Sequence, residues 1–125
     1  MLDQALAHLR ADYRPTLSVE DFVFHVTHRL IRITGSEGGS AELDPHQGFG
    51  FGTPLSWTQG PAPDSAEGIL AIPLYYQYRH LGWVRLHRPR FVTAPDAGEF
   101  RSEIGKWMVG HIARLLTSEI GRAHV

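Results

Sequence analysis

The chain reads as an α+β domain, an antiparallel sheet with its N- and C-terminal helices packed on one face. Three observations predict this. Ile69–Tyr76 and Leu81–His87 are two runs of β-compatible residues joined by a short polar connection, Gln77–His80, which is the pattern of a hairpin. Residues 18–34 repeat apolar side chains at helical spacing between a serine and a glycine that suit the two ends of a helix. Residues 96–120 repeat apolar side chains at the same spacing over a longer span.

Taken in order, Leu2, Leu6 and Leu9 give residues 2–12 a narrow helical stripe, ended by Pro15. The second helix starts at Ser18, where Ser18-x-x-Asp21 approximates a capping box, and Glu20 and Asp21 suit the positive end of the helix dipole. Val19, Phe22, Val23, Val26, Leu30 and Ile33 form its apolar face, and Gly35 stops it. Glycine, proline and serine then punctuate the chain. Ser40–Leu43 and Phe49–Phe51 are short strand candidates, and Thr53–Gly68 reads as a long connection that lids or walls a pocket. In the hairpin, a two-residue turn at Gln77-Tyr78 needs positive φ without a glycine, which favours a four-residue loop. Either length groups Ile69, Ala71, Val84 and Leu86 on one face and Leu70, Ile72, Trp83 and Arg85 on the other. Pro95 and Asp96 open the last helix, whose stripe of Phe100, Ile104, Trp107, Met108, Ile112 and Leu115 is flanked by a second one of Val109, Ala113, Leu116 and Ile120.

A length of 125 residues with 42% hydrophobic and 20% charged content fits one domain, residues 1–125, with one core. Cysteine is absent, which excludes thiolate zinc, iron–sulfur clusters and thiol nucleophiles, and no cofactor motif stands in their place. A net charge of −1 gives no general pull toward nucleic acid or anionic lipid. No apolar run approaches the roughly 20 residues of a bilayer span, so a cytoplasmic protein is expected.

Gly68-Ile-Leu-Ala-Ile-Pro-Leu74, then Leu81-Gly82-Trp-Val-Arg-Leu86, then Phe91 and the helix through Phe100, Ile104 and Ile112, resemble the C-terminal half of a GAF domain. The likeness covers residues 68–120 and the helix at 18–34, with less chain at 35–67 than the family carries; apolar hairpins followed by a helix also occur in PAS and profilin-like domains. The resemblance implies a five- or six-stranded antiparallel sheet with helices on one face and a small-molecule pocket on the other. It also implies a regulatory module that senses ligands or dimerises. The residues that mark the chromophore-bearing, cyclic-nucleotide-binding and sulfoxide-reducing branches are missing here, so no ligand identity carries over.

Several constellations invite chemistry and have plainer readings. His25 and His28 at i,i+3 are half a metal site with nothing to complete it, and scattered surface histidines are the simpler account. Ser56 and Ser65 sit in no nucleophile elbow, and Glu99 and Glu103 read as a solvated helix face. Gly48, Gly50 and Gly52 lack the strand and helix that make a phosphate loop. Arg85, His87, Arg88 and Arg90, with Tyr75, Tyr76 and Tyr78 nearby, form a basic strand end rather than a nucleic-acid surface. Arg85 is the most informative single residue, because strand alternation sets it among apolar neighbours. There it either pairs with Asp44, Glu42 or Glu67 or holds a ligand's carboxylate or phosphate.

The sequence thus predicts a non-enzymatic regulatory or sensory module that binds a small molecule or forms a homodimer, with no nucleic-acid or membrane partner. The alternative is a ligand-free dimerisation scaffold, and the third choice is a small enzyme on the same fold. The expected ligand site comprises Trp83, Arg85, Leu70, Ile72, Phe49, Phe51 and Trp57. The expected dimer surface comprises Leu2, Leu6, Leu9, Val109, Ala113, Leu116 and Ile120, because excess apolar width on a surface helix calls for a cover.

Overall fold

The computed structural model describes the backbone of residues 1–14 and 18–123 and, among these, the side chains as far as residue 117. The chain runs through α1 (Leu2–Asp12), α2 (Val19–Thr34), β1 (Gly38–Leu43), α3 (His46–Phe49), β2 (Leu55–Gln59), β3 (Ile69–Tyr76), β4 (Arg79–His87) and α4 (Ala94–Ala123). Pro15, expected to end α1, lies outside the described residues. The four strands form one open antiparallel sheet in the order β2-β1-β4-β3. Against the five or six strands implied by the resemblance, the described residues form four.

The ends of α2 follow from their chemistry. The Ser18 hydroxyl accepts the Asp21 backbone N–H at 3.1 Å, and Gly35 takes the left-handed conformation (φ 67°) while its N–H reaches back to the last carbonyls. Thr27 and Thr34, buried on this helix, satisfy their hydroxyls on the carbonyls of Val23 and Leu30. Phe22, Val26 and Leu30 meet Val84, Leu86, Ile72, Ile104 and Met108 in one core in which each is at most 3% exposed. Full burial of a side chain of this kind contributes about 1.5–3 kcal/mol.

Between Gly35 and Gly68 the sequence reading is corrected twice. Phe49–Phe51 is no strand: Phe49 closes the single turn of α3, and Gly50 follows in the left-handed region (φ 76°). The missing strand is β2, inside the stretch read as a connection. There Leu55, Trp57 and Gln59 alternate with Ser56 and Thr58 opposite β1.

The hairpin carries the correction that matters most. Tyr76 pairs with Arg79 and Tyr75 with His80, leaving Gln77 and Tyr78 alone in the turn, with φ of 49° and 68°. Positive φ at both central residues marks a type I′ turn, whose twist matches that of the strands, so the tight turn wins although no glycine is present. Leu81 is then left over. Beyond it Leu74 pairs with Gly82, Ile72 with Val84 and Leu70 with Leu86, so Leu81 forms a β-bulge. One extra residue reverses the expected grouping of faces. Leu70, Ile72 and Leu74 lie with Val84 and Leu86 on the inner face beneath the helices, and Ala71, Pro73, Trp83 and Arg85 share the outer face.

The excess apolar width of α4 is covered from within. Leu9, Val109 and Leu116 are buried in their own chain, because α1 and α2 both pack on α4. Leu2, Leu6 and Ala113 are half-buried, and the side chain of Ile120 lies outside the described residues. The premise of the expected dimer surface, an uncovered second stripe, does not hold at Leu9, Val109 and Leu116.

Candidate functional site

The helices occupy the inner face of the sheet and leave most of the outer face open. Its centre is Trp83, on the inner strand β4, with Pro73 beside it on β3 and Glu42 on β1. Arg85 Nη1 donates to Glu42 Oε1 at 2.7 Å, and its guanidinium carbon lies 5.5 Å from the centroid of the Trp83 ring. On the other side of Trp83 stands His80 at 4.6 Å between ring centroids, and Tyr75 follows at 5.2 Å from His80. The bulge makes this row possible. It lets His80 and Trp83, three residues apart, face the same way, which a regular strand forbids.

Beside Trp83 the outer face meets α4 in a groove of about 650 Å³, within the usual size range of a small-molecule site. Ala71 and Pro73 of β3 form its floor, with Trp83 and Tyr75 on one bank and Gly98, Ser102 and Gly105 of α4 on the other. Proline is tolerated in the middle of β3 because this is an edge strand whose free side faces α4 rather than a further strand. Gly105 lets the helix come down on that edge, since a Cβ there would stand only 2.9 Å from the Pro73 carbonyl oxygen. Gly98 has no such cause, because a Cβ there would touch nothing within 4 Å. Arg101 and Lys106, one on each side of Ser102, put positive charge on the rim. Lys106 lies 3.8 Å from Glu103 across an exposed i,i+3 pair of little energetic weight, and among the described residues Arg101 makes no ion pair. A second hollow, of about 560 Å³ and with more polar walls, lies beyond Trp83 among Glu42, Asp44, Gln47, Ser56 and His80.

Of the residues the sequence singled out for a ligand, Trp83 lines both hollows and Arg85 stands next to it, already paired with Glu42. Leu70 and Ile72 belong to the core, on the wrong side of the sheet, because of the bulge. Trp57 lies opposite the buried Ala41, faces inward and stacks on Phe24 at 5.9 Å. Phe49 stacks on Tyr76 at 4.3 Å with Phe51 against it, and both pack on the core. Phe49, Phe51 and Trp57 therefore do not roof Trp83, whereas Pro54, Leu55 and Ser56 of the same segment line the second hollow with it. The bank of the groove opposite Trp83 is α4, which the sequence reading left out. One signal was available: Gly98 and Gly105 lie two turns apart inside a helical pattern, with Ser102 between them, and neither caps anything.

The other constellations resolve locally. His28 Nδ1 meets Gln59 Oε1 at 2.7 Å and His25 is exposed; among the described residues no group of three or more His, Asp and Glu gathers as a metal site. Arg88 reaches Glu37 at 3.7 Å and Arg90 donates to the Gly35 carbonyl, which disperses the basic strand end. Ser65 accepts the backbone N–H of Glu67. Among the described residues no helix is long and apolar enough to cross a membrane.

Two histidines depart from the surface role expected of them. His87 is buried on β4, and its Nδ1 finds no partner. His111 sits in an aromatic cluster where α1 gives way to α2, 4.1 Å from Tyr13, 4.6 Å from Trp107 and 5.8 Å from Phe22 between ring centroids. Burial, and then the neighbouring Arg114 charge, hold its pKa below the usual histidine value. Neither histidine lines the groove beside Trp83.

Compared with protein-family models, with curated proteins and with solved structures, the chain finds no match.

Proposed function

We propose that the chain is a non-enzymatic, cytoplasmic regulatory module of GAF-like architecture that holds a small molecule on the outer face of its sheet, in the groove between β3, β4 and α4. The observation that carries this reading is the groove itself. It has apolar walls, a few polar groups at the rim and an indole in one bank, the composition by which small-molecule sites combine burial with orientation. The lining suits holding more than reacting, since it brings two aromatic rings, two hydroxyls and two cations but no carboxylate or imidazole to act as a base. A sensory role follows from its position. A ligand there would bridge β3, β4 and the long C-terminal helix, and so would bias the seating of that helix on the sheet.

The three tryptophans make the test direct, because Trp83 is on the outer face while Trp57 and Trp107 pack on the inner side. Small metabolites titrated into isotope-labelled protein are expected to move the Trp83 indole N–H resonance and leave the other two in place. A broad metabolite set that moves only Trp57 or Trp107, or none of the three, refutes the assignment of the site.

A second reading, a ligand-free homodimerisation scaffold, is favoured by one observation: Arg85 already has its anion in Glu42 at 2.7 Å. It predicts a dimer by light scattering at micromolar concentration, together with an empty outcome in the titration.

A further inference from the structure

Resting on the groove reading, we infer that the ligand is a planar aromatic anion, a flat ring system bearing a carboxylate or phosphate, held by Trp83 on one side and by Arg101 and Lys106 of α4 on the other. Charge comes first. Arg85, the obvious anion partner on this face, is neutralised by Glu42, and no acid lines the groove to offset Arg101 and Lys106. Glu103 meets Lys106 only in an exposed pair at 3.8 Å and Arg101 makes no ion pair among the described residues, so the rim beside the apolar floor favours an anion, and Arg101 offers the planar fork that matches a carboxylate or phosphate. Shape comes second. The floor is a single strand, so Trp83 stands about 4.8 Å across the ladder from Pro73, while α4 rises on the far side of that strand. Such a slot takes a flat ring more readily than a branched aliphatic chain, and the indole gives it a surface to stack on.

Gly98 leaves the room that such a ligand needs. A glycine inside an exposed helix weakens it by about 1 kcal/mol relative to alanine, and here no contact within the chain requires it, because the space above it is open. That space opens into the groove. A larger side chain at this position would be harmless to the fold and would occupy the place of a ligand.

The test uses the whole chain and three probes: naphthoate, naphthyl phosphate, and the neutral naphthalenemethanol. Either anion is expected to bind with a shift of the Trp83 indole resonance, and the alcohol at least about tenfold more weakly. Whichever anion binds more tightly names the anionic group. Arg101→Glu and Lys106→Glu are each expected to weaken the anion about tenfold or more without changing the alcohol. Gly98→Leu should abolish all binding while the melting temperature stays level or rises, which separates a filled groove from a damaged fold. Equal binding of alcohol and anions, unaffected by the two charge reversals, overturns the anion while leaving the groove as the site. Failure of all three probes to move Trp83 overturns both. Binding of the anions that survives Gly98→Leu places them elsewhere and overturns the inference.

Discussion

Replacing Gln77-Tyr78 with Asn-Gly should stabilise the protein, because the hairpin turns through two residues ill-suited to their conformation. Their φ values, 49° and 68°, lie in the left-handed region, which costs an ordinary residue about 1–2 kcal/mol. Asparagine and glycine are the pair that a type I′ turn prefers. The offsetting losses are small. Tyr78 is wholly exposed, so no packing disappears, and the Gln77 Nε2 to Tyr76 Oη bond of 3.3 Å is at the surface. Glycine also loosens the unfolded chain, which takes back about 0.4–1 kcal/mol. A net gain of about 1–2 kcal/mol remains. With a urea m-value of about 2 kcal/mol/M, the middle of the range for small proteins, the midpoint followed by tryptophan fluorescence should rise by roughly 0.5–1 M at unchanged slope. Arg79→Gly serves as the control, since it would help only a longer loop and should lose stability in β4. An unchanged or lowered midpoint for Asn-Gly, or a gain from Arg79→Gly, would refute the two-residue turn and with it the bulge.

Leu86→Ala should cost about 2–5 kcal/mol in the same assay, because a completely buried side chain at the centre of the inner face leaves a cavity; a loss below about 1 kcal/mol would put the strand's faces the other way round. Arg85→Gln and Glu42→Gln should each change stability by no more than about 1 kcal/mol, since the pair is part-exposed, and a double-mutant cycle measures the coupling. His111 binds its proton less readily in the folded than in the unfolded chain, so its contribution is complete above its ordinary pKa and declines as pH falls below that value. Unfolding free energy measured between pH ~7 and ~5 should drop for the native chain and drop less for His111→Phe; identical slopes would show that another group carries the dependence.

Much of the fold was legible because local chemistry and tertiary packing agree. Ser18 and Gly35 bracket α2 as cap residues should, and Phe22, Val26, Ile104 and Met108 are buried where their helical spacing puts them. β2 escaped notice because Leu55–Gln59 is a short alternation hemmed in by Pro54 and Pro61, so punctuation outweighed pattern. Phe49–Phe51 looked extended because glycine alternates with phenylalanine there, whereas the chain uses Gly50 to leave a helical turn. The site was half legible. Trp83 was found from its strand, but its partner bank lies on the exposed side of α4, where periodicity registers only an absence of apolar residues. Nothing in the spelling of the hairpin announces the bulge, which arises from how the turn, the twist and the burial of Leu81 are satisfied together.

That one surplus residue makes the hairpin tolerant of shortening at a single place. With Leu81 deleted and the Gln77-Tyr78 turn kept, His80 would still meet Tyr75 and the residue after it, Gly82, would still meet Leu74, so Val84 stays opposite Ile72 and Leu86 opposite Leu70 in an unbroken ladder. What such a deletion forfeits is the buried Leu81 side chain, not the phase of the sheet. An insertion in β4 has no such outlet: unless the bulge widens to absorb it, everything beyond it turns by half a period and Val84 and Leu86 go into water. Descendants of this sequence can therefore lose a residue between 79 and 82 more readily than gain one.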